Sequence, residues 1–196
     1  MTKVPLFPLG TVLFPGGLLP LRLFEQRYFE MAKACLRDES PFGVCLIREG
    51  SEVGTPATHE PVGCLARITQ WDMQQLGLLQ IVAQGGERFR VASEAVRKDG
   101  LILGEIELLP ESADTPVEEH HGACVRLLER ILAEHGERLF AKPFCMDSSA
   151  WVGARLAEVL PLPAAMRQKL MELDDPLQRL DILQRLVAQS GAARGT

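Results

Sequence analysis

Residues 4–36, VPLFPLGTVLFPGGLLPLRLFEQRYFEMAKACL, limit the possible folds more than any other stretch, because prolines punctuate their apolar runs before the period changes. Pro5, Pro8, Pro15 and Pro20 have no N–H to give to a sheet ladder, so these runs read as short strands at an edge or a barrel rim rather than at a sheet centre. Pro15-Gly16-Gly17 spells a tight turn, since proline presets φ and glycine accepts a positive one. From Phe24 the spacing becomes helical. Phe24, Tyr28, Met31 and Cys35 share one face, while Glu25, Arg27, Glu30 and Lys33 mostly point away from it.

Segments of strand length follow at 42–47, 62–71, 76–83, 88–96 and 101–109, spaced by turn signals. Arg88-Phe89-Arg90-Val91 alternates polar and apolar, as a half-exposed strand does. Several strands with one early helix predict a strongly bent sheet or a small barrel over residues 1–112. A helical part is expected over 113–190, with a frayed tail at 191–196. Thr115 can cap its first helix, with Pro116 at the first helical position and Glu118 three residues after the cap. Val125, Leu128, Ile131 and Leu132 form that helix's apolar stripe. Asp147 is placed to cap a second helix carrying Trp151, Leu156 and Val159. Pro163 opens a third, and Asp175-Pro176 a fourth that buries Leu177, Leu180, Leu183 and Val187.

Several blocks resemble the N-terminal substrate-binding domain of Lon proteases, and most closely the stand-alone bacterial proteins made of that domain alone. They begin with Pro5-Leu6-Phe7-Pro8-Leu9, Leu13-Phe14-Pro15-Gly16 and the run from Leu19 through Phe24-Glu25-Gln26-Arg27-Tyr28. Phe42-Gly43-Val44, Pro61-Val62-Gly63-Cys64 and Gly85-Gly86-Glu87-Arg88-Phe89 continue the series, and Asp174-Asp175-Pro176-Leu177 lies in its helical end. Many relatives carry Ser where this chain has Pro163. The resemblance implies an α+β fold in which a PUA-like β-barrel precedes a C-terminal helical bundle. It also implies non-catalytic recognition of polypeptide.

Composition fits a globular chain, with 46% hydrophobic and 24% charged residues. The net charge of −5 is spread over both parts of the chain, whereas nucleic-acid modules concentrate cations in a patch. No apolar run approaches the roughly 18 to 20 residues needed to span a bilayer, and the N-terminus lacks the pattern of a secretory signal. A bacterial cytoplasmic location without membrane association is expected. Cys35, Cys45, Cys64, Cys124 and Cys145 are an odd set without a CxxC pair, which favours reduced core thiols over a disulfide framework.

No Gly-Lys dipeptide exists, so a phosphate-cradling loop ending in Gly-Lys-Ser/Thr is excluded. The resemblance leaves no room for the Ser-Lys peptidase module of full-length Lon, and no GxSxG elbow or HExxH helix occurs. No catalytic residue is expected. His120, His121 and Cys124, near Glu118 and Glu119, are the best metal candidates. Adjacent histidines on a helix point to different sides, however, so a solvated first turn is favoured and neither metal nor cofactor is expected. Pro15, Gly16, Phe24, Glu25, Arg27, Tyr28, Gly43, Gly63, Arg88 and Phe89 belong to the resemblance blocks and read as fold-fixing: Arg27 or Arg88 can pair with Glu25 or bond strand-end carbonyls.

Trp71, Met73 and Leu78 flank an expected hairpin turn at Gln74-Gln75. If exposed, they make an adaptable apolar surface for unfolded or extended polypeptide; core burial is the equal alternative. The leading function is recognition of unfolded or apolar protein segments, alone or with a separate protease or chaperone. An RNA-binding PUA-like module and a small-molecule-binding barrel are the other readings. The acidic, unpatterned charge argues against RNA.

Overall fold

The computed structural model describes residues 2–75, 77–110 and 113–192. Two compact units divide at Pro110. Residues 111 and 112, beside which the sequence placed this boundary, and 193–196 of the expected tail lie outside the described residues.

The first unit is a six-stranded mixed sheet: β1 (Thr2–Leu9), β2 (Leu18–Leu23), β3 (Phe42–Glu49), β4 (Thr58–Gln75), β5 (Leu78–Val96) and β6 (Ile102–Leu108), with α1 (Gln26–Asp38) between β2 and β3. The strand order is β2-β5-β4-β3-β1-β6, and β5 pairs again with β6, which closes a ring. Only β1 and β3 are parallel. The expected α+β barrel followed by helices is therefore the fold, although several elements differ from the sequence reading.

β1 is not an edge strand. Its residues 2–6 pair with β6 and its residues 6–9 with β3. The change of partner at Leu6 means that Pro5 and Pro8 each lie in a half paired on one side only, where a missing N–H is harmless. β2, which carries Pro20, does sit at an edge and pairs only with β5.

The segments expected at 76–83 and 88–96 are one continuous strand. Gly85-Gly86 reads as a turn, yet β5 runs through it because the glycine serves close approach instead. A Cβ at Gly85 would collide with the Phe14 carbonyl. That carbonyl accepts from Gly17 N at 3.0 Å across Pro15 and Gly16, whose φ is 74°, a type II turn. The turn docks on β5 through Gly16 N to Gly85 O at 2.8 Å and Gly85 N to Gly17 O at 2.9 Å.

β4 continues through Gln75 and β5 begins at Leu78, so the turn comes later than the expected Gln74-Gln75 and includes Gly77, with φ 82°; Leu76 lies outside the described residues. Register shifts near Cys64, Ile68 and Asp72 bend this long ribbon.

Inside the ring, Val4, Leu6, Cys45, Leu65, Phe89, Ile102 and Ile106 form one core cluster. Phe89 fills the space beside Gly43 and Gly63: a Cβ at Gly63 would meet the Val44 carbonyl, Phe89 at 2.7 Å and Cys45 Sγ at 2.8 Å. A second cluster packs Tyr28, Met31, Ala32 and Cys35 of α1 on Phe7, Phe42, Leu79 and Ile81. The Phe7 and Tyr28 rings stack at 3.9 Å. Phe24 departs from the sequence reading. It precedes the helix and is 62% exposed, because Glu25 occupies the N-cap position and Gln26 begins α1.

The second unit comprises a 3-10 turn at Glu119–His121, then α2 (Gly122–Leu139), α3 (Ser149–Val159), α4 (Ala164–Glu172) and α5 (Pro176–Ala192). Thr115-Pro116 does not open a helix. Pro116 bridges Ser148, and Thr115 O accepts from Ser149 N at 2.9 Å, so this segment spends its polar groups on the start of α3. Ser148, rather than Asp147, caps α3 by accepting from Trp151 N at 2.9 Å. Pro163 and Asp175 stand before α4 and α5 as expected, and Asp175 accepts from Leu177 N at 2.9 Å. Leu128, Leu156, Leu170, Leu180 and Leu183 are buried. Among the described residues, no helix is long and apolar enough to cross a membrane.

Gly63→Ala is expected to destabilise the chain by about 2 kcal/mol or more, since the added methyl meets backbone and packed core rather than a flexible side chain. A urea titration followed by circular dichroism measures this as a lowered midpoint.

Candidate functional site

Side chains alternate between half-buried and buried along residues 78–83 of β5. Leu79, Ile81 and Ala83 of β5 point into the core. Trp71, opposite Ile81 in register, lies on the same face of the sheet yet is 61% exposed, and Met73 on the same strand is 48% exposed. Leu78 is half-buried.

Trp71 is shared by two grooves. One, of about 560 Å³, runs between the outer side of α1 and the hairpin, lined by Phe29, Lys33, Leu36, Trp71, Met73 and Leu79 among others. The other lies along Pro20, Leu21 and Arg22 of β2 and reaches Gln70, Trp71, Gln80 and Val82. Of the three sequence candidates, Trp71 and Met73 are brought together in one groove wall. Leu78 is not part of it, and Leu79 is.

The α1 contribution was missed at the sequence level. Phe29 and Leu36, seven residues apart, form a second apolar stripe beside the buried face of Tyr28, Met31, Ala32 and Cys35. That spacing is the signal from which it was available. Lys33 Nζ lies over the Phe29 ring at 5.6 Å and within 3.3 Å of Glu30, which gives the groove a charged rim.

The charged residues of the resemblance blocks make contacts within the first unit. Arg27, buried, reaches Glu25 at 3.1 Å, donates to Gly100 O at 3.1 Å, and lies over the Tyr28 ring at 4.6 Å. Glu25 Oε2 also accepts from Gly54 N at 3.4 Å, tying the start of α1 to the β3-β4 loop. Arg88 is buried and donates to Pro110 O at 3.4 Å, two residues past the end of β6. Burial pushes the Tyr28 hydroxyl above its ordinary pKa, with Arg27 opposing.

All five cysteines are free. Burial pushes Cys124 up to about 11 and raises Cys35 and Cys45, the opposite of nucleophile activation. Glu158, pushed up to about 7 by burial, is matched with the Arg155 guanidinium at 2.8 Å inside the helical unit. Its contacts are those of a packed ion pair.

In that same unit, the expectation that adjacent histidines diverge is corrected. His120 and His121 lie on a 3-10 turn with ring centroids 3.8 Å apart, and both Nε2 atoms reach Asp181 Oδ1, at 3.0 and 2.7 Å. Those hydrogen bonds, His120 first, hold the Asp181 carboxyl below the usual carboxylate range. Cys124 does not join the cluster.

Residues 3–189 match the family described as the ATP-dependent protease La (LON) substrate-binding domain. The chain belongs to this family. Among solved structures, the Lon N-terminal domain protein from Xanthomonas campestris matches with a TM-score of 0.77 and 38% identity, covering 93% of this chain and 97% of that one. The N-terminal domain of the Mycobacterium avium complex Lon protease has the same fold at a TM-score of 0.64 and 18% identity, over 95% of this chain and 98% of its own. The Lon protease of Methylocella silvestris is 26% identical over 187 residues, which are 92% of this chain and 23% of that protein. The chain thus spans under a quarter of the length of that full Lon protease.

In variants retaining a single tryptophan, iodide is expected to quench Trp71 strongly. Trp151, half-buried with Phe140 and Phe144 at 6.1 and 6.0 Å, is expected to be quenched several-fold less. Stern-Volmer plots of the two variants measure the difference.

Proposed function

We propose that this chain is a non-catalytic polypeptide-recognition module that takes up unfolded or apolar protein segments on the Trp71–Met73 surface, working in the cytoplasm alone or with a separate protease or chaperone. The observation that carries the reading is Trp71, 61% exposed and common to two grooves of one barrel. A large indole left in water between two grooves of mixed apolar and charged lining is suited to covering by a partner.

An extended client lying over the ridge would bury Trp71 and insert side chains on either side of it, between α1 and the hairpin or along β2. Met73 supplies a flexible, polarisable contact that adapts to different side chains. Among the described strands β2 pairs only with β5, so its outer edge offers main-chain groups that an extended segment can meet. Pro20 interrupts that row of donors, which keeps such pairing short. Affinity then comes mainly from apolar area, with little sequence specificity, and is weak because a flexible segment loses conformational freedom on ordering.

The family description as a substrate-binding domain supports this reading. So does the raised pKa of the buried thiols, which are poor nucleophiles. The spread of acidic charge is unsuited to nucleic acid.

Trp71→Ala is expected to weaken binding of a fluorescently labelled, permanently unfolded carboxymethylated protein by about tenfold, the scale of one large apolar side chain. Met73→Ser is expected to weaken it less. Fluorescence anisotropy at 50 and 500 mM salt reads both, with little change between the salts. Binding indifferent to Trp71→Ala contradicts the proposal, and a steeply salt-dependent affinity for RNA would replace it.

A further inference from the structure

We propose that His120, His121 and Asp181 form a binding site for a divalent transition metal of the zinc class, with His120 Nε2, His121 Nε2 and a carboxylate oxygen of Asp181 as ligands. The three come from places 60 residues apart in the chain. Their donor atoms nevertheless lie within 4.8 Å of one another. Each is a zinc-ligand type, and a tetrahedral ion with bonds of about 2.0 to 2.2 Å separates its ligands by about 3.3 Å. The present spacings of 3.0 and 2.7 Å to Asp181 Oδ1 need only a slight widening to admit it.

The surroundings suit ligation. His120 Nδ1 lies 3.3 Å from Glu118 Oε2, the carboxylate-to-imidazole arrangement that places the ring proton on Nδ1 and leaves Nε2 free for a metal. The His121 ring is fully buried and its Nδ1 has no hydrogen-bond partner, so the orientation of the ring rests on the Nε2 aimed at Asp181. Two imidazoles with one carboxylate favour zinc, cobalt or nickel over magnesium and calcium, which prefer oxygen ligands.

His120 is well exposed and Asp181 partly so, which leaves a side of the ion open to water. Three protein ligands and an open position describe an exchangeable site rather than a closed structural one. Bound metal would tie the 3-10 turn to α5, replacing two hydrogen bonds with coordinate bonds and stabilising the helical unit by linkage.

Isothermal titration of the reduced full chain with zinc chloride is expected to give one ion per chain and a raised melting temperature. His120→Ala and Asp181→Asn are each expected to weaken binding by at least about tenfold. His135→Ala, at an exposed histidine on α2, should leave it unchanged. His120 is exposed, so its removal empties no core, and a native far-UV spectrum checks this. A cobalt(II) titration should show d-d bands without a thiolate charge-transfer band, because Cys124 and the other thiols lie outside the ligand set. Absence of zinc binding, binding undiminished in either variant, or a thiolate band each overturns the proposal.

Discussion

Hydrogen bonding along the 19 residues of β5 holds the first unit together. β4 occupies one edge of this strand. The other edge forks, with residues 79–84 pairing to β2 and residues 89–96 to β6. In the gap between those partners sits the turn around Pro15 and Gly16, whose backbone bonds Gly85. Without the turn, the backbone at the fork would lose partners at the point where the strand bends, a costly loss for buried polar groups. Gly85 is the residue that permits the approach, so one missing side chain couples barrel closure to the N-terminal segment.

The candidate surface follows from this arrangement. Leu79, Ile81 and Ala83 of β5 are buried in the core that α1 joins, whereas Trp71 and Met73 of the facing β4 strand, on the same face of the sheet, remain exposed. α1 is fixed at its start by the Glu25-Arg27 pair and the bond to Gly100, which holds Phe29 and Lys33 opposite the hairpin. Charged residues of the family blocks thus contribute through position: they set the walls of a groove whose contact surface is apolar. This division suits a binder of varied chains, since the frame is specified by hydrogen bonds and ion pairs while the contact surface is not.

The family, and the α+β barrel with helices that it implies, were legible from the resemblance of the sequence blocks, and the fourth helix from a local rule, Asp175-Pro176 at a helix start. What escaped the sequence was tertiary. Gly85-Gly86 looks like a turn until Phe14 is placed against it, and the prolines of β1 look like edge residues until that strand is seen to change partners at Leu6. Phe24 fits the helical face in spacing but falls one residue before the N-cap. Thr115 has the chemistry of a cap, yet Ser148 and Ser149 compete for its segment. The exposure of Trp71 could not be read from alternation, because both faces of a bent ribbon carry apolar residues, and the meeting of His120, His121 and Asp181 depends on helix packing across 60 residues.

On the proposed function, another polypeptide settles on the ridge made by Trp71 and Met73. An amide and indole NMR titration of the labelled chain with an unfolded, carboxymethylated protein tests it most directly. Fast-exchange shifts are expected, concentrated at the Trp71 indole, Met73, Phe29, Lys33 and the residues of β2 that line the second groove. A spectrum unchanged at saturating client, or one whose shifts avoid these residues, would contradict it.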